Sequence, residues 1–404
     1  MHCARVLVLI VLVGLVQVHS FSWVCGVSVL AFCGSAVLSA PLSLAGDFDS
    51  QLQHILHEQT LTPQDPAISR ALHDVRATLD QRWPGYELFL TGSLAAGLGI
   101  KASDIDVSIR LPHFNVSAGL YVLKETAKLF NEQPELYLEV KYRHDDGYNS
   151  TFLQCYHMPS ERVVDIEFQT SGVDIFQVNL MKYYFNLDRR FQPLVVFLKY
   201  WFKVHDVTGH KIGYLPNFGV YMLIIFYLQQ KNMAPPGDTL HIKWRPNYIE
   251  AWNLHFDELP YNTNNTENLH QLLGGFFKYY SEFNFEEYFV SPLTGRRIPK
   301  NALRDIDVLP EVYSLYHNTW DQTMLEEAMN GDMFIADFNG HHLNAGLISH
   351  ERATKLKHLL KSAATMFEEL PSDEFLSAIL VMGDQETTIN DNISTVDGIS
   401  EQWS

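Results

Sequence analysis

The chain has 404 residues, of which 47% are hydrophobic and 13% aromatic; this allows two ordinary domains and excludes a wholly disordered protein. The formal net charge of −18 excludes general attraction to polyanions, so any contact with nucleic acid must come from local basic patches. The four cysteines, three of them within the first 33 residues, exclude a disulfide framework and are typical of a reducing compartment.

Residues 1–46 form a hydrophobic N-terminal segment. No charged residue occurs from Val6 to Ala45, and Val18-His19-Ser20 resembles a small-residue cleavage site. Two interpretations stay open: a secretory signal or membrane anchor, or the product of a wrongly assigned start that is absent from the functional protein. The body of the chain favours a cytoplasmic protein, because lumenal folding would leave it without disulfides. The hydrophobic segment itself keeps membrane association or secretory targeting open.

Residues 47–174 alternate between helical and strand patterns, which predicts a small mixed α/β domain. Helices are predicted at 52–57, 68–83 and 120–130, with a helix start at 94–98, and strands at 86–90, 105–109, 136–142, 151–155 and 163–168. From residue 175 the apolar period becomes helical, which predicts a mostly helical domain over 175–370. Its helices are predicted at 176–187, 190–205, 217–230, 269–280 and 350–370.

Residues 371–404 are acidic and are predicted to be a largely disordered tail. No Lys or Arg follows Lys361, whereas nine carboxylates do. The predicted fold class is therefore α+β, with two lobes and a cleft between them, followed by this tail.

The strongest chemical signal is Thr91-Gly92-Ser93 followed by Asp104-Ile105-Asp106. Two carboxylates at positions i and i+2 of a strand point to the same face, where they can hold one or two Mg²⁺ ions, or Mn²⁺ in their place. A Gly-Ser turn before a helix start offers N–H groups and a hydroxyl to a phosphate. These parts are the ones that phosphoryl transfer needs.

A third carboxylate is expected on a neighbouring strand. Val163-Val164-Asp165-Ile166-Glu167 supplies it, and Asp165 directly follows an apolar pair. A bare Asp-x-Asp is usually a surface feature, but the Gly-Ser turn upstream and the strand acid downstream favour a metal site made by Asp104, Asp106 and Asp165.

This arrangement resembles the DNA polymerase β-like nucleotidyltransferase superfamily, and within it the non-canonical poly(A) polymerases and terminal uridylyltransferases. The resemblance covers about residues 50–365. It extends to Pro193-Leu194 followed by Lys199 and Lys203, to Gly213-Tyr214-Leu215-Pro216-Asn217-Phe218, and to a poly(A)-polymerase-associated segment that starts near Asn268.

The resemblance implies roles for these residues. Gly92, Ser93, Lys199, Lys203 and Asn217 are expected to hold a nucleoside triphosphate, with Asn217 at the second Ser of the family's Gly-x-Leu-Ser-Ser-Tyr. Phe218 takes the Tyr position and can stack on the base. The family's ribose-reading Asn-Thr pair maps weakly onto Gln177-Val178.

Base preference is expected to depend on the loop from Asp337 to Gly346. Uridylyltransferases of the family usually carry a His there, and His341 takes that place when the loop is aligned on Ala345-Gly346. Alignment on Asn344 puts Leu343 there instead. The expected substrates are UTP, or else ATP, and a single-stranded RNA 3′ end.

The predicted function is therefore template-independent addition of UMP to RNA 3′ ends by two-metal phosphoryl transfer, with release of pyrophosphate. A poly(A) polymerase is the first alternative. A non-catalytic RNA-binding scaffold is the second, although none of the three carboxylates is missing. Basic residues on the last long helix, Arg352, Lys355, Lys357 and Lys361, form a candidate RNA-contacting face or an ordinary solvated one. Protein partners are unknown.

Overall fold

The computed structural model describes residues 44–112, 119–145, 150–168, 173–209, 213–240, 256–305, 307–313, 322–338 and 348–382. Residues 1–43, His341 and the last part of the acidic tail lie outside these ranges, so the predictions that concern them stay predictions. Within the described ranges, no helix is both long and apolar enough to cross a membrane.

A mixed five-stranded sheet forms the α/β part of the fold. In spatial order its strands are β2 (Glu87–Leu90), β4 (Ile105–Arg110), β7 (Arg162–Phe168), β6 (Ser150–His157) and β5 (Tyr137–Asp145). β4 and β7 are parallel, and the other neighbouring pairs are antiparallel. A separate short pair, β1 (Thr60–Leu61) with β3 (Gly99–Ile100), has too few residues to show an alternating pattern in sequence.

Four helices belong to this part: α1 (Phe48–Gln59), α2 (Pro66–Leu79), the one-turn α3 (Gly92–Ala95) and α4 (Gly119–Asn131). α2 and α4 contribute apolar side chains to the same core as the strands, including Val75, Leu79 and Phe130 against Ile105 and Ile166. Each fully buried side chain of this kind stabilises the fold by about 1.5–3 kcal/mol. This core holds β4 and β7, which carry the predicted carboxylates, in a fixed position.

The helical part begins at residue 173. Its elements are α5 (Val173–Asn186), α6 (Phe191–Val204), α7 (Asn217–Gln230), α8 (Leu269–Ser281), the hairpin β8 (Tyr288–Ser291) and β9 (Arg296–Pro299), α9 (Gln322–Asn330), α10 (His350–Glu369) and α11 (Ser372–Val381). α7 is apolar all round because residues 219–229 are all buried. α8 starts at a capping box in which Asn268 and Gln271 exchange hydrogen bonds. The α+β prediction is confirmed.

The predicted disordered tail needs a correction at its start. Ser372–Val381 forms α11, and Phe375, Leu376 and Ile379 are fully buried. Trp201 Nε1 and His205 Nε2 both lie within hydrogen-bond distance of Ile379 O, at 3.0 and 2.7 Å. Apolar residues at helical spacing, docked on a buried tryptophan, outweigh the acidic composition of this stretch.

Candidate active site

The turn after β2 brings the backbone of Gly92 against the carboxylate of Asp106. Gly92 has a φ of +61°, and a Cβ atom there would overlap that carboxylate. Thr91 N donates to Asp106 O at 2.9 Å, which ties the turn to β4. Glycine at residue 92 therefore has a steric reason, since any side chain would displace Asp106.

Strand register brings two of the three predicted carboxylates side by side. Asp106 of β4 pairs with Asp165 of the parallel strand β7, so their side chains lie on the same face. Asp165 is buried, and Gln154 Nε2 of β6 donates to its Oδ1 at 2.9 Å. Asp104 lies just before β4.

The carboxylates are chemically suited to a hard divalent cation. Mg²⁺ and Mn²⁺ take oxygen ligands, and the glycine at residue 92 keeps the space beside Asp106 free of a side chain. In the part of the chain that the structure describes, no group of three or more His, Cys, Asp or Glu side chains is arranged to hold a metal ion. A site made by Asp104, Asp106 and Asp165 together therefore stays a prediction.

A cavity of about 550 Å³ lies beside these carboxylates. Gly92, Ser93, Asp106 and Asp165 line it from the α/β part, and Asn217, Phe218 and Tyr221 of α7 line it from the helical part, together with Gln177 and Val178 of α5. Its size is that of an ordinary small-molecule site. An adjoining smaller space is lined by Asp104, Lys199 and Lys203, and Ser93, Asp106 and Asn217 border both spaces.

Lys199 is buried behind the Gly-Ser turn. Its Nζ donates to Ser103 Oγ at 2.8 Å and to Leu98 O at 3.2 Å. Burial lowers the pKa of Lys199 to about 7, even though the charges of Asp106 and Asp104 act in the opposite direction. In this structure Lys199 thus joins α6 to the segment between the turn and Asp104, whereas Lys203 is less buried.

The first residues of α7 face the cavity. Its N-cap is Pro216, which makes no side-chain capping bond, so the N–H groups of the first turn are not capped by a side chain. Such a helix start attracts anions. Asn217 and Phe218 therefore lie where a phosphate and an aromatic base could both be reached.

Arg352 of α10 supports the cavity from behind. Its guanidinium carbon lies 3.5 Å from the ring centroid of Tyr214, which lines the cavity. Arg352 Nη2 and the Tyr214 hydroxyl both donate to Asp206 Oδ2, at 3.2 and 3.3 Å. Of the four basic residues predicted as a possible RNA-contacting face, Arg352 is thus bound within the protein, while Lys355 and Lys361 are exposed.

Four residues of the site were not found from the sequence: Gln154, Ser103, Tyr214 and Tyr221. The sequence could have indicated Tyr221, because this residue lies four positions after Asn217 and so on the same helical face. No sequence pattern indicates Gln154, since its place depends on the pairing of β6 with β7.

Two family sequence models match the chain. The nucleotidyltransferase domain matches residues 72–170, and the segment described as Cid1 family poly A polymerase matches residues 268–325. In these two segments the chain is similar to the non-canonical poly(A) polymerases and terminal uridylyltransferases.

Relatives in this family carry both kinds of name. Poly(A) RNA polymerase gld-2 homolog B of Drosophila melanogaster is 28% identical over 238 residues, which are 54% of this chain and 17% of the relative. Terminal uridylyltransferase 7 of Homo sapiens is 26% identical over 56% of this chain and 16% of its own length. Terminal uridylyltransferase cid1 of Schizosaccharomyces pombe is 27% identical over 54% of each chain. The chain thus matches about half or less of these relatives' length.

Solved structures of the family share the fold. The structure of mtPAP in complex with UTP superposes with a TM-score of 0.65 at 20% identity, covering 83% of this chain and 73% of mtPAP. A structure of the Cid1 poly(U) polymerase gives 0.62 at 19% identity, covering 81% of this chain and 98% of Cid1.

Proposed function

We propose that the chain is a template-independent RNA 3′-terminal nucleotidyltransferase and that UTP is its preferred nucleotide. The observation that carries the proposal is the pairing of Asp106 with Asp165 beside the Gly92-Ser93 turn, on the wall of a cavity of nucleotide size. The match of residues 72–170 to the nucleotidyltransferase domain supports the same reaction class.

In the proposed reaction, Asp104, Asp106 and Asp165 hold Mg²⁺ or Mn²⁺, which neutralises charge on the phosphates when bound. Asp165 accepts the proton of the RNA 3′-hydroxyl, and Gln154 fixes the orientation of its carboxylate. The hydroxyl attacks the α-phosphate, and pyrophosphate leaves.

The triphosphate is held from three sides. Ser93 donates from the Gly-Ser turn, Lys203 pairs with the outer phosphates, and the N–H groups at the start of α7 add donors together with Asn217. Lys199 contributes its charge from behind the turn when protonated. Phe218 stacks on the base.

UTP is proposed over ATP because of the two adjacent histidines His341 and His342. An imidazole N–H can meet a pyrimidine carbonyl, and its bulk disfavours a purine. ATP is the alternative, since relatives at similar identity are named both poly(A) RNA polymerases and terminal uridylyltransferases.

The first test incubates the full chain with a short single-stranded RNA, Mg²⁺ or Mn²⁺, and each of the four NTPs separately. Extension with UTP alone is expected. Extension mainly with ATP would make the protein a poly(A) polymerase, and no extension with any NTP would contradict the proposed reaction. Asp106→Asn should lower the extension rate at least about a hundredfold, whereas the exposed Asp80→Asn should leave it unchanged.

Base choice has its own test. Replacing both His341 and His342 by alanine should bring the rates with UTP and ATP closer together while extension continues. An unchanged ratio of the two rates would remove the histidines from base selection without affecting the proposed chemistry.

A further inference from the structure

Tyr221 carries a buried hydroxyl that has no hydrogen-bond partner among the described residues. Folded proteins rarely leave such a group unpaired, because it has given up water without a replacement. Elsewhere in this core the pattern is different: Tyr227 of α7 donates to Leu272 O at 3.0 Å, and Tyr280 of α8 to Leu223 O at 2.6 Å. A few other buried polar atoms of the described residues also lack a partner, but Tyr221 is the tyrosine among them and its side chain lines the cavity.

The surroundings of Tyr221 are those of the candidate site. Its side chain lines the cavity together with Ser93 and Asp106. Burial and the charge of Asp106 raise the pKa of Tyr221, while a weak hydrogen-bonding interaction with Ser93, short of the geometry of a full hydrogen bond, lowers it to a smaller extent. The phenol therefore stays protonated, and it can act as a donor near Ser93.

Ser93 is held only weakly by its present partner. Ser103 Oγ accepts from Lys199 Nζ at 2.8 Å, from Ile100 N at 3.0 Å and from Ser93 Oγ at 3.3 Å. A hydroxyl oxygen has two lone pairs, and the two shorter bonds use them. The hydrogen of Ser93 is thus the one most easily given to another acceptor.

We propose that Tyr221 is a positioning residue for Ser93 that acts when a nucleoside triphosphate occupies the cavity, an inference that rests on the proposed function. Ser93 turns its hydrogen from Ser103 to a triphosphate oxygen. The Tyr221 hydroxyl then donates to Ser93 Oγ, which pairs the buried phenol and directs the serine hydrogen to the ligand. The weak interaction between α7 and the Gly-Ser turn thereby becomes a full hydrogen bond in the nucleotide-bound state.

The composition of α7 supports this role. The helix start lacks hydroxyl groups at Pro216 and at Phe218, where the resembled family pattern carries Ser and Tyr. Tyr221 lies four residues after Asn217 and so presents its hydroxyl from the same helical face. The Tyr221 hydroxyl is thus the side-chain hydroxyl that α7 carries on this face, close to the Gly92-Ser93 turn.

The test compares Tyr221→Phe with Tyr227→Phe in the full chain. Tyr221→Phe removes a hydroxyl that is unpaired in the free protein, so the Tm without nucleotide should stay the same or rise. Its affinity for UTP, measured by calorimetry without RNA, should fall about two- to tenfold, the value of one hydrogen bond. Tyr227→Phe breaks an existing bond, so it should lower the Tm and leave UTP affinity unchanged.

Combination with Ser93→Ala separates positioning from packing. If Tyr221 acts through Ser93, Tyr221→Phe should have no further effect on UTP affinity in the Ser93→Ala protein. An equal loss in both backgrounds, or no loss in a wild-type background that binds UTP, would overturn the inference alone. A wild-type protein that binds no nucleoside triphosphate would overturn the proposed function, and this inference with it.

Discussion

The two walls of the cavity hold their polar groups in different ways. On the sheet wall, Asp106 and Asp165 are fixed by strand register, and Gly92 by its backbone conformation. On the helical wall, Lys199 is held by hydrogen bonds to residues about a hundred positions earlier in the chain, and Tyr221 mainly by packing.

The departures from the resembled family pattern follow this division. The sheet wall keeps its Gly-Ser turn and its carboxylates, whereas the helical wall has Pro216, Asn217 and Phe218 in place of two serines and a tyrosine. A carboxylate whose position is fixed by strand register cannot be replaced from a neighbouring position. A hydrogen-bond donor on a helix can be replaced by a donor that lies one helical turn away. Changes to the carboxylates of the sheet wall or to Gly92 should therefore impair chemistry, and changes to the helical wall should impair binding.

The largest effect is expected from Gly92→Ala on the sheet wall. The added Cβ would overlap Asp106 and displace its carboxylate, so extension should slow about a hundredfold or more. Gly97→Ala is the matched control, because Gly97 also has a positive φ of +77° but its nearest neighbouring atom would be 3.7 Å away. Both variants should lose about 1–2 kcal/mol of stability from the backbone conformation. Equal extension rates in the two would contradict a specific role of Gly92 beside Asp106.

Lys199→Met tests the junction between the walls. In the free protein the pKa of Lys199 is lowered to about 7 from 10.5 in the unfolded chain, so the unfolded state binds more protons between these values. The free energy of unfolding should then rise with pH from about 7 towards 10.5, by at most about 1.4 kcal/mol per pH unit, and this rise should be missing in Lys199→Met. Denaturant unfolding at pH 6, 7.5 and 9 measures it. The exposed Lys355→Met should keep the wild-type slope, and an identical slope in Lys199→Met would contradict the lowered pKa.

The smallest effect is expected from Arg352→Ala on the helical wall. It removes the guanidinium that stacks on Tyr214 and pairs with Asp206, and a contact of this kind contributes about 0.5–2 kcal/mol. Loosening Tyr214 should raise the KM for the nucleotide about two- to fivefold and leave kcat nearly unchanged. Lys355→Ala on the same helix should change neither. A fall in kcat as large as the rise in KM would show that the two walls do not divide binding from chemistry.

The spacing of apolar residues predicted the long helices well where one face or all faces of the helix are apolar. The helix predicted at 217–230 has the observed bounds Asn217–Gln230, and that predicted at 190–205 is observed as Phe191–Val204. The prediction was wrong at α11. The acidic charge of this stretch suggested disorder, but three apolar residues at helical spacing are enough to pack the helix against the core.

The amino-acid sequence by itself determined the α+β fold class, the resemblance to nucleotidyltransferases and the strand positions of Asp106 and Asp165, because turn chemistry and the two-residue period of a strand are local properties. Tertiary structure alone decided that these two carboxylates are register partners, that Gln154 holds Asp165, and that Lys199 is bonded behind the turn. It also decided that the Tyr221 hydroxyl is buried beside Ser93, without a full hydrogen bond to any of the residues described in the structure. These features depend on contacts between distant segments, and only the packed chain specifies their direction and burial.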